Sequence, residues 1–361
     1  MKKLQKEVFF TATLIKWHTK YNKREMPWKG EKDPYKIWLS EIILQQTRVE
    51  QGLQYYNRFI QNYPDVFALA AAPDNEVFKL WEGLGYYNRC KNLLFTARFV
   101  AHELEGEFPK SFEGLLALKG IGNYTASAVA SFAYNLPFAV VDGNVNRVLA
   151  RYFGLASPVD STAGKKLFAE IATRLLDKKK SAQYNQAIMD FGATICKPQL
   201  PLCETCLLQD QCMAYQHDRV QELPVKEKKI AKIHRWFYYI LAEKNSGFLV
   251  RKRTEKDIWQ NLHEFFLIEA SHHSDTETVL GSAGFKKMGF IKYELLSVSA
   301  VYKQQLTHQT IHAIFIRIGV KNGRVPGGME LVAKAHLKKL AFPRMINHYL
   351  EQELGFEAVP T

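Results

Sequence analysis

The stretch from Leu118 to Asp142, LKGIGNYTASAVASFAYNLPFAVVD, decides the fold of the first half of the chain. Gly120 and Gly122 bracket one apolar residue and directly precede a run of small residues suited to a closely packed helix. Glycines let a backbone approach a phosphate, and the unpaired N–H groups at a helix start favour an anion. The stretch therefore predicts a tight hairpin that opens a helix. A plain turn between two helices would use the same glycines. The glycines alone therefore do not distinguish such a turn from a phosphate-binding hairpin.

The charge of the chain favours a polyanionic partner. The 361 residues carry a formal net charge of +13, which points to nucleic acid or to a membrane surface. No apolar run reaches the roughly 20 residues needed to span a bilayer. The basic start followed by Val8 to Ile15 only faintly resembles a signal peptide, because Glu7 precedes the run and no small-residue cleavage site follows. We therefore expect a cytoplasmic protein with no membrane partner.

A second informative segment is WLSEIILQQT, from Trp38 to Thr47. Glu41 lies in this otherwise apolar segment, where burial raises the pKa of a carboxyl group and lets it hold a proton near neutral pH. The alternative is an exposed glutamate on the polar side of a helix. The segment thus supplies a candidate general acid, and Asp142 at the exit of the hairpin unit supplies a second carboxylate.

Four cysteines form a compact group just past the midpoint of the chain. Cys196, Cys203, Cys206 and Cys212 have the spacing C-x6-C-x2-C-x5-C. Four thiolates can hold either a tetrahedral zinc ion or a [4Fe–4S] cluster. Structural zinc sites usually pair two short knuckles, whereas only one short pair is present here. Both metals stay open on spacing alone, with the cluster favoured.

These motifs together resemble the helix-hairpin-helix DNA glycosylases of base excision repair, and within them the adenine DNA glycosylases. The resemblance covers nearly the whole chain. It implies a mainly α helix-hairpin-helix domain with an iron–sulfur loop, followed by an α+β nudix-like domain. The 6-2-5 cysteine spacing matches the loop that holds the [4Fe–4S] cofactor in this superfamily. The implied partner is double-stranded DNA with adenine opposite 8-oxoguanine or guanine, bound by a monomer.

The resemblance also implies four catalytic residues. Glu41 falls where the family has the glutamate that protonates the departing adenine, and Asp142 falls where an aspartate stabilises the sugar cation. Asn144 and Tyr124 resemble supporting polar residues of the same pocket, with Asn144 orienting the aspartate and Tyr124 near the sugar. Because endonuclease III-like relatives carry a lysine where this chain has Tyr124, we expect base removal without efficient strand cleavage.

The DNA-binding residues implied by the resemblance lie in several segments. Tyr86, in the aromatic turn GLGYY, resembles an intercalating tyrosine that helps to extrude a nucleotide. The basic loop with Arg24 and Trp28 lies at the rim of the family's base pocket, although Trp28 can equally anchor the loop to the core. The remaining residues of this group are the hairpin glycines Gly120 and Gly122, Gln46 and Thr47 against the opposite base, and Gln186 at the adenine edge.

The chain changes character after the cysteines. We predict a glycosylase domain at 1–215 with the cluster loop at 196–212, a charged linker at 216–233, and a second domain at 234–361. The segment from Trp259 to Phe265 resembles a nudix-like domain, which in this family recognises the lesion. Lysines stand around Phe285 to Phe290 in place of the closely spaced glutamates that hold magnesium in nudix enzymes. We therefore expect a binding module without hydrolase activity.

The predicted lesion-recognition residues are Leu306, Thr307 and His308, where the family has Phe-Ser-His in a hairpin that senses 8-oxoguanine. Threonine keeps the hydroxyl group, but leucine loses the aromatic ring. Two other functions compete with the predicted adenine excision. One is a bifunctional endonuclease III-like glycosylase and lyase, which Tyr124 disfavours. The other is a non-catalytic protein that binds damaged DNA, which has no need for Glu41 and Asp142 together.

Overall fold

The computed structural model describes residues 2–227, 232–323 and 325–356. Two compact units are present. The N-terminal unit comprises Met1–Ala71 and Asn92–Lys228, and the C-terminal unit comprises Ala72–Lys91 and Lys229–Thr361. The segment Ala72–Lys91 thus groups with the C-terminal unit, which the sequence boundaries did not anticipate. Residues 228–231 of the predicted linker lie outside the described residues.

The N-terminal unit is helical, as predicted. Its elements, given together with those of the segment Ala72–Lys91, are α1 (Lys2–Lys20), α2 (Pro34–Leu44), α3 (Val49–Asn62), α4 (Val66–Ala71), α5 (Asp74–Leu80), α6 (Asn88–Glu103), α7 (Phe112–Ala117), α8 (Asn123–Tyr134), α9 (Gly143–Phe153), α10 (Thr162–Leu175), α11 (Ser181–Thr194), two 3-10 turns (Cys203–Thr205 and Gln209–Gln211) and α12 (Met213–Gln216).

The helix that carries the candidate acid is enclosed on every side. Asp33 caps α2 by accepting a hydrogen bond from the Tyr35 backbone N–H at 2.9 Å, and Pro34 occupies the first turn. Eight of the nine positions from Tyr35 to Ile43 are buried, all except Lys36. Because apolar residues surround this helix rather than only one of its faces, the Glu41 carboxyl group lies in the interior.

The predicted hairpin is present between α7 and α8. Gly120 adopts a left-handed backbone with φ of +82°, and a Cβ at this position would lie 2.7 Å from the Asn92 Cβ. Glycine is therefore required both by conformation and by space. Gly122 caps α8 without a side chain, so the first N–H groups of α8 stay accessible. The small residues of α8 are buried, which allows the close packing of α8 on α2.

The core of the N-terminal unit links its first helix to the cysteine loop. Phe10, Leu14 and Trp17 of α1 pack with apolar residues of α9, α10 and α11, and the sulfur-bearing side chains of three cysteines lie against the same core. Leu223 of the predicted linker is also buried in this core. The first part of the linker is therefore packed structure of the N-terminal unit.

The C-terminal unit contains one mixed sheet in the described residues. Its elements are β1 (Ile233–Lys244), β2 (Gly247–Lys252), β3 (His263–Glu264), β4 (Phe266–Ala270), α13 (Thr276–Gly281), α14 (Ala283–Lys286), β5 (Phe290–Val298), β6 (Tyr302–Gln305), β7 (Gln309–Gly323), β8 (Glu330–Ala333), α15 (Lys334–Leu337) and α16 (Arg344–Leu354). The strand order is β3-β2-β1-β7-β5, with β1 and β7 parallel. One sheet face packs under α13 and α14, where Tyr238, Ile240 and Ile316 are buried.

Candidate active site

A cavity of about 880 Å³ opens in the N-terminal unit. It gathers residues that are far apart in the sequence, from α1, α2, α8, α9, α11 and the loop before α2. The predicted site residues that line it are Glu41, Tyr124, Asp142, Asn144, Gln46, Thr47, Gln186, Arg24 and Trp28. The structure thus brings the four predicted catalytic residues and five predicted DNA-binding residues into one site.

Glu41 is buried, with 7% of its surface exposed. Burial raises the pKa of its carboxyl group to about 7, and the negative charge of Asp142 adds to the rise, while a hydrogen bond with Tyr124 opposes it. Burial also raises the pKa of the Tyr124 hydroxyl well above its usual value, so this phenol keeps its proton. Glu41 is therefore poised to hold a proton near neutral pH and to release it inside the cavity.

Asp142 lies at the start of α9 and serves as its N-cap. Its Oδ1 accepts a hydrogen bond from the Val145 backbone N–H at 2.7 Å, and its Oδ2 accepts one from Asn144 Nδ2 at 2.7 Å. Burial raises the pKa of this carboxyl group, whereas the donors of Val145 and Asn144 and the charge of Arg147 oppose the rise. These donors and the helix N-terminus stabilise the anion of Asp142 beside the neutral acid of Glu41.

Arg147 fixes the position of the Asn144 side chain. Its Nη2 donates to Asn144 Oδ1 at 2.7 Å and to the Gly192 carbonyl at 2.6 Å, and its Nε donates to the Cys196 carbonyl at 2.7 Å. A hydrogen-bonded path therefore runs from the cysteine loop to the Asp142 carboxylate. Sequence reasoning missed Arg147, although its position one turn after Asn144 on the same helix was a usable signal.

The basic loop before α2 is anchored to the unit and also borders the cavity. Trp28 packs edge-on against Tyr56, with ring centroids 5.1 Å apart, and at the same time lines the cavity. Arg24 Nη1 forms an ion pair with Asp190 Oδ1 at 2.9 Å. Sequence reasoning did not single out Asp190, which belongs to α11 and is fully buried.

The residues after α2 carry a backbone irregularity. Gln46 has a φ of +57°, which is uncommon for a residue other than glycine, and the Thr47 N–H bonds the Leu44 carbonyl at 3.1 Å. Such left-handed residues often occur at functional sites. Gln46 and Thr47 both line the cavity, as does Gln186 from α11.

Two predicted DNA-contacting segments meet within the C-terminal unit. Tyr86 has a φ of +48° and 47% of its surface is exposed, so its ring projects, whereas Tyr87 is buried. The hydroxyl group of Tyr86 forms a hydrogen bond with that of Thr307. Thr307 and His308 form the turn between β6 and β7, closed by a bond from the Leu306 N–H to the Gln309 carbonyl at 2.8 Å.

The four cysteines of the predicted cluster loop are all partly exposed. Backbone N–H groups donate to two of the sulfur atoms, from Leu208 to Cys206 and from Ala214 and Tyr215 to Cys212. Arg151 Nη1 lies 3.5 Å from Cys196 Sγ. In the described part of the chain no group of three or more His, Cys, Asp or Glu side chains is arranged to hold a metal ion. The fit to a thiolate-bound group rests on these donors, which stabilise negative charge on sulfur.

Comparison with known proteins identifies both halves of the chain. Residues 39–174 match the HhH-GPD superfamily of base excision DNA repair proteins, and residues 237–352 match the NUDIX domain. The adenine DNA glycosylase of Buchnera aphidicola subsp. Schizaphis graminum is 30% identical over 317 residues, which cover 86% of this chain and 88% of that protein. None of the described helices is long and apolar enough to cross a membrane.

Solved structures support the same assignment of the first half. A thermostable thymine-DNA glycosylase is 31% identical, with a TM-score of 0.55, over 60% of this chain and all of that chain. An endonuclease III bound non-covalently to DNA shares the fold, with a TM-score of 0.51 and 20% identity over 59% of this chain and 97% of that chain. The predicted family and fold class are confirmed. This chain belongs to the adenine DNA glycosylase family and is a DNA glycosylase of base excision repair, with a helix-hairpin-helix domain followed by a NUDIX-like domain.

Proposed function

We propose that this glycosylase excises adenine mispaired with 8-oxoguanine or with guanine, and that it hydrolyses the N-glycosidic bond without cutting the DNA strand. The observation that carries the mechanism is the pair of buried carboxyl groups in one cavity. Glu41 is set to carry a proton, whereas the hydrogen bonds to Asp142 oppose the rise in pKa that burial causes and favour its anion. Glycoside hydrolysis requires two carboxyl groups, one that is protonated and one that is ionised.

The reaction starts from an adenine turned out of the duplex, because the glycosidic bond is inaccessible inside the base stack. Turning the nucleotide out costs a few kcal/mol of unstacking. Glu41 donates its proton to a ring nitrogen of adenine, which makes the base a better leaving group. The Tyr124 hydroxyl, which keeps its own proton, bonds the Glu41 carboxyl group and orients it.

Asp142 stabilises the positive charge that develops on the sugar as the bond breaks. Both of its oxygen atoms are held by donors, so the carboxylate is already oriented before substrate arrives. Asn144 is in turn held by Arg147. Water then adds to the sugar and an abasic site remains. This division of roles follows from the different surroundings of the two carboxyl groups.

The absence of strand cleavage follows from the chemistry at position 124. A lyase needs an amine that forms a Schiff base with the sugar, and the Tyr124 phenol cannot do so. Lys29 also lines the cavity, but its amine lies 2.6 Å from the Arg24 carbonyl and 3.4 Å from Asp190. These partners engage the Lys29 amine in a hydrogen bond and an ion pair.

Recognition of the mispair is assigned to two pairs of residues. Gln46 and Thr47 meet the base opposite adenine, and their cavity-lining position supports this role. Thr307, bonded to the projecting Tyr86, places a hydroxyl group next to the ring that enters the duplex. A threonine hydroxyl can bond the altered edge of 8-oxoguanine, which supports a preference for the oxidised base over guanine.

We also propose that Cys196, Cys203, Cys206 and Cys212 hold a [4Fe–4S] cluster. A bound cluster would tie the loop at 196–212 to the core. Arg147 donates to the Cys196 carbonyl of this loop and Arg151 donates to the Lys197 carbonyl. Metal analysis of the purified protein separates the two options. About four iron atoms per chain support the cluster, and one zinc ion per chain would replace it with a zinc site.

Single-turnover incubation with duplexes that contain adenine opposite 8-oxoguanine, guanine or thymine tests the proposed reaction. We expect alkali-dependent cleavage of the adenine strand in the first two duplexes and much less in the third. Cleavage without alkali, together with activity on oxidised pyrimidines, would support the bifunctional enzyme instead. Tight binding without any product would support a protein that only binds damaged DNA.

A further inference from the structure

A second group of charged side chains lies in the same cavity, apart from Glu41 and Asp142. Its centre is Asp190, whose side chain has no exposed surface. Asp190 Oδ1 accepts from Arg24 Nη1 at 2.9 Å, and Asp190 Oδ2 lies 2.8 Å from Asn22 Nδ2 and 3.4 Å from Lys29 Nζ. His18 completes the group, with its Nδ1 3.0 Å from Asn22 Nδ2. Apart from the ion pair of Lys29 with Asp190, the reaction proposed above uses none of these contacts.

The orientation of the Asn22 amide is fixed by two independent bonds. Its oxygen accepts from the Arg24 backbone N–H at 3.0 Å, and its nitrogen donates to the Asp190 carboxylate. The group that faces His18 is therefore the NH₂, which only donates. His18 Nδ1 must then accept, so the imidazole is neutral and carries its proton on Nε2. The hydrogen bonds of Asn22 thus fix the tautomer of His18.

The charges around His18 favour this neutral form. His18 is at the last turn of α1, which packs against α11, and the charged groups that face it are Lys29 and Asp190. Burial and the positive charge of Lys29 lower the pKa of His18, and Asp190 opposes them. Arg24 reaches the other oxygen of Asp190. One carboxylate therefore faces two cations, and a third cation at position 18 would be repelled.

We infer that His18 is a positioning residue for the base pocket. As a neutral hydrogen-bond acceptor, His18 holds Asn22. Through Asn22 and Asp190 it holds the cavity-lining loop that contains Arg24, Trp28 and Lys29. This inference rests on the proposed excision of adenine. Protonation of His18 removes the acceptor at Nδ1 and places two hydrogen-bond donors face to face. The loop then loses one of its attachments to α1, and the pocket binds the extruded base less well.

The expected signature is a pH effect on substrate use. As pH falls through the lowered pKa of His18, the excision rate at subsaturating enzyme should fall by about 3- to 10-fold. This is the usual effect of losing one such hydrogen bond. The loss should appear in the enzyme concentration needed for half-maximal rate more than in the saturating rate. Asp142 also titrates on the acid side, but its protonation lowers the saturating rate.

Three variants separate the positioning role from a merely structural one. His18→Leu removes the acceptor and should show the weakened binding at every pH. His18→Asn offers an amide oxygen at the place of Nδ1 that does not titrate, so it should restore binding at neutral pH and abolish the acid-side weakening. His102→Asn makes the same change at an exposed histidine of α6 and should behave as the unchanged protein. Normal binding by His18→Leu, or acid-side weakening retained in His18→Asn, would overturn the inference.

A measurement without substrate keeps this test distinct from a failure of the proposed reaction. Nitrogen-15 spectra of the histidine side chains should show His18 with its proton on Nε2 and a pKa below 6.5, its usual value. In Asn22→Leu, the Nδ1 acceptor shift should disappear. A proton on Nδ1 in the unchanged protein would contradict the inference even if adenine excision is confirmed.

Discussion

Glu264 and Glu41 are buried glutamates of the two different units of this protein, and they are held in opposite ways. Glu264 of the C-terminal unit has no exposed surface and lies 2.6 Å from Arg253 Nη1 and 2.7 Å from Arg251 Nη2. Glu41 of the N-terminal unit is 7% exposed, and the group that bonds it in the cavity is the neutral phenol of Tyr124. Burial raises the pKa of both carboxyl groups, but only at Glu264 do two guanidinium groups oppose it.

The difference shows what burial does without a counter-charge. At Glu264 the paired charges join β2 and β3 into a structural network that also includes Asp257. At Glu41 the same side chain keeps its proton near neutral pH because none of the described groups that shift its pKa is a cation. A buried carboxyl group thus becomes either an ionic support or an acid, according to its neighbours.

The largest expected effect concerns the second carboxylate of the cavity. Asp142→Asn keeps the shape of the side chain and the N-cap oxygen but removes the negative charge that stabilises the sugar cation. Single-turnover excision should fall on the order of 10³-fold. Duplex binding, measured by fluorescence anisotropy, should stay nearly unchanged. Turnover that survives in this variant would exclude Asp142 from the proposed role.

At Glu264 the comparison predicts a loss of stability without a loss of chemistry. Glu264→Gln removes the fully buried charged partner of Arg253 and leaves it with the partly exposed Asp257, which should cost about 3–5 kcal/mol in the free energy of unfolding. Denaturant unfolding measures this change. The saturating excision rate of protein that remains folded should be close to normal. The matched substitution Glu269→Gln, at a half-exposed partner of Arg235, should cost far less.

Glu41→Gln should have the opposite effect on stability. The folded-state pKa of about 7 exceeds the usual value of 4.5, so Glu41 supports the fold fully below pH 4.5 and loses that contribution as pH rises through 7. A neutral amide avoids the loss, and the variant should gain up to about 3 kcal/mol over the unchanged protein above pH 8. Excision should fall about 10²-fold at neutral pH. If Glu41→Gln and the unchanged protein were equally stable at pH 5 and also at pH 9, the result would contradict a raised pKa of Glu41.

The smallest effect is expected in lesion recognition. Thr307→Val keeps the shape of the side chain but removes the hydroxyl group that bonds Tyr86. The preference for 8-oxoguanine over guanine should fall by about 3- to 10-fold, with the excision step unchanged once substrate is bound. The ratio of rates on the two mispairs at limiting enzyme measures it. An unchanged ratio would remove Thr307 from the recognition of the lesion.

The sequence predicted the residues whose chemistry is encoded in local patterns. The double glycine marks the hairpin because Gly120 needs a left-handed backbone, and the apolar neighbours of Glu41 mark its burial. Cavity-lining positions for Gln46 and Gln186 also agree with the prediction. Their contacts with DNA and the roles of the lesion-recognition residues stay predictions.

What the sequence could not predict depends on contacts between distant segments. Asp190 meets Arg24 across 166 residues, and Arg147 meets Cys196 across 49. Neither pair has a local pattern, because the partners approach only when helices pack. The burial of Leu223 in the predicted linker has the same origin, since a polar stretch carries no sign of one apolar side chain that enters a core.

The central claim is that Glu41 acts as a protonated acid beside an ionised Asp142. The most direct test is the saturating single-turnover rate on adenine opposite 8-oxoguanine between pH 5 and pH 9, measured for the unchanged protein and for Glu41→Gln. The rate of the unchanged protein should fall as pH rises through about 7, where Glu41 loses its proton, and the variant should lack this decline. A rate that stays constant or rises from pH 7 to pH 9 would contradict the assignment of Glu41 as the acid.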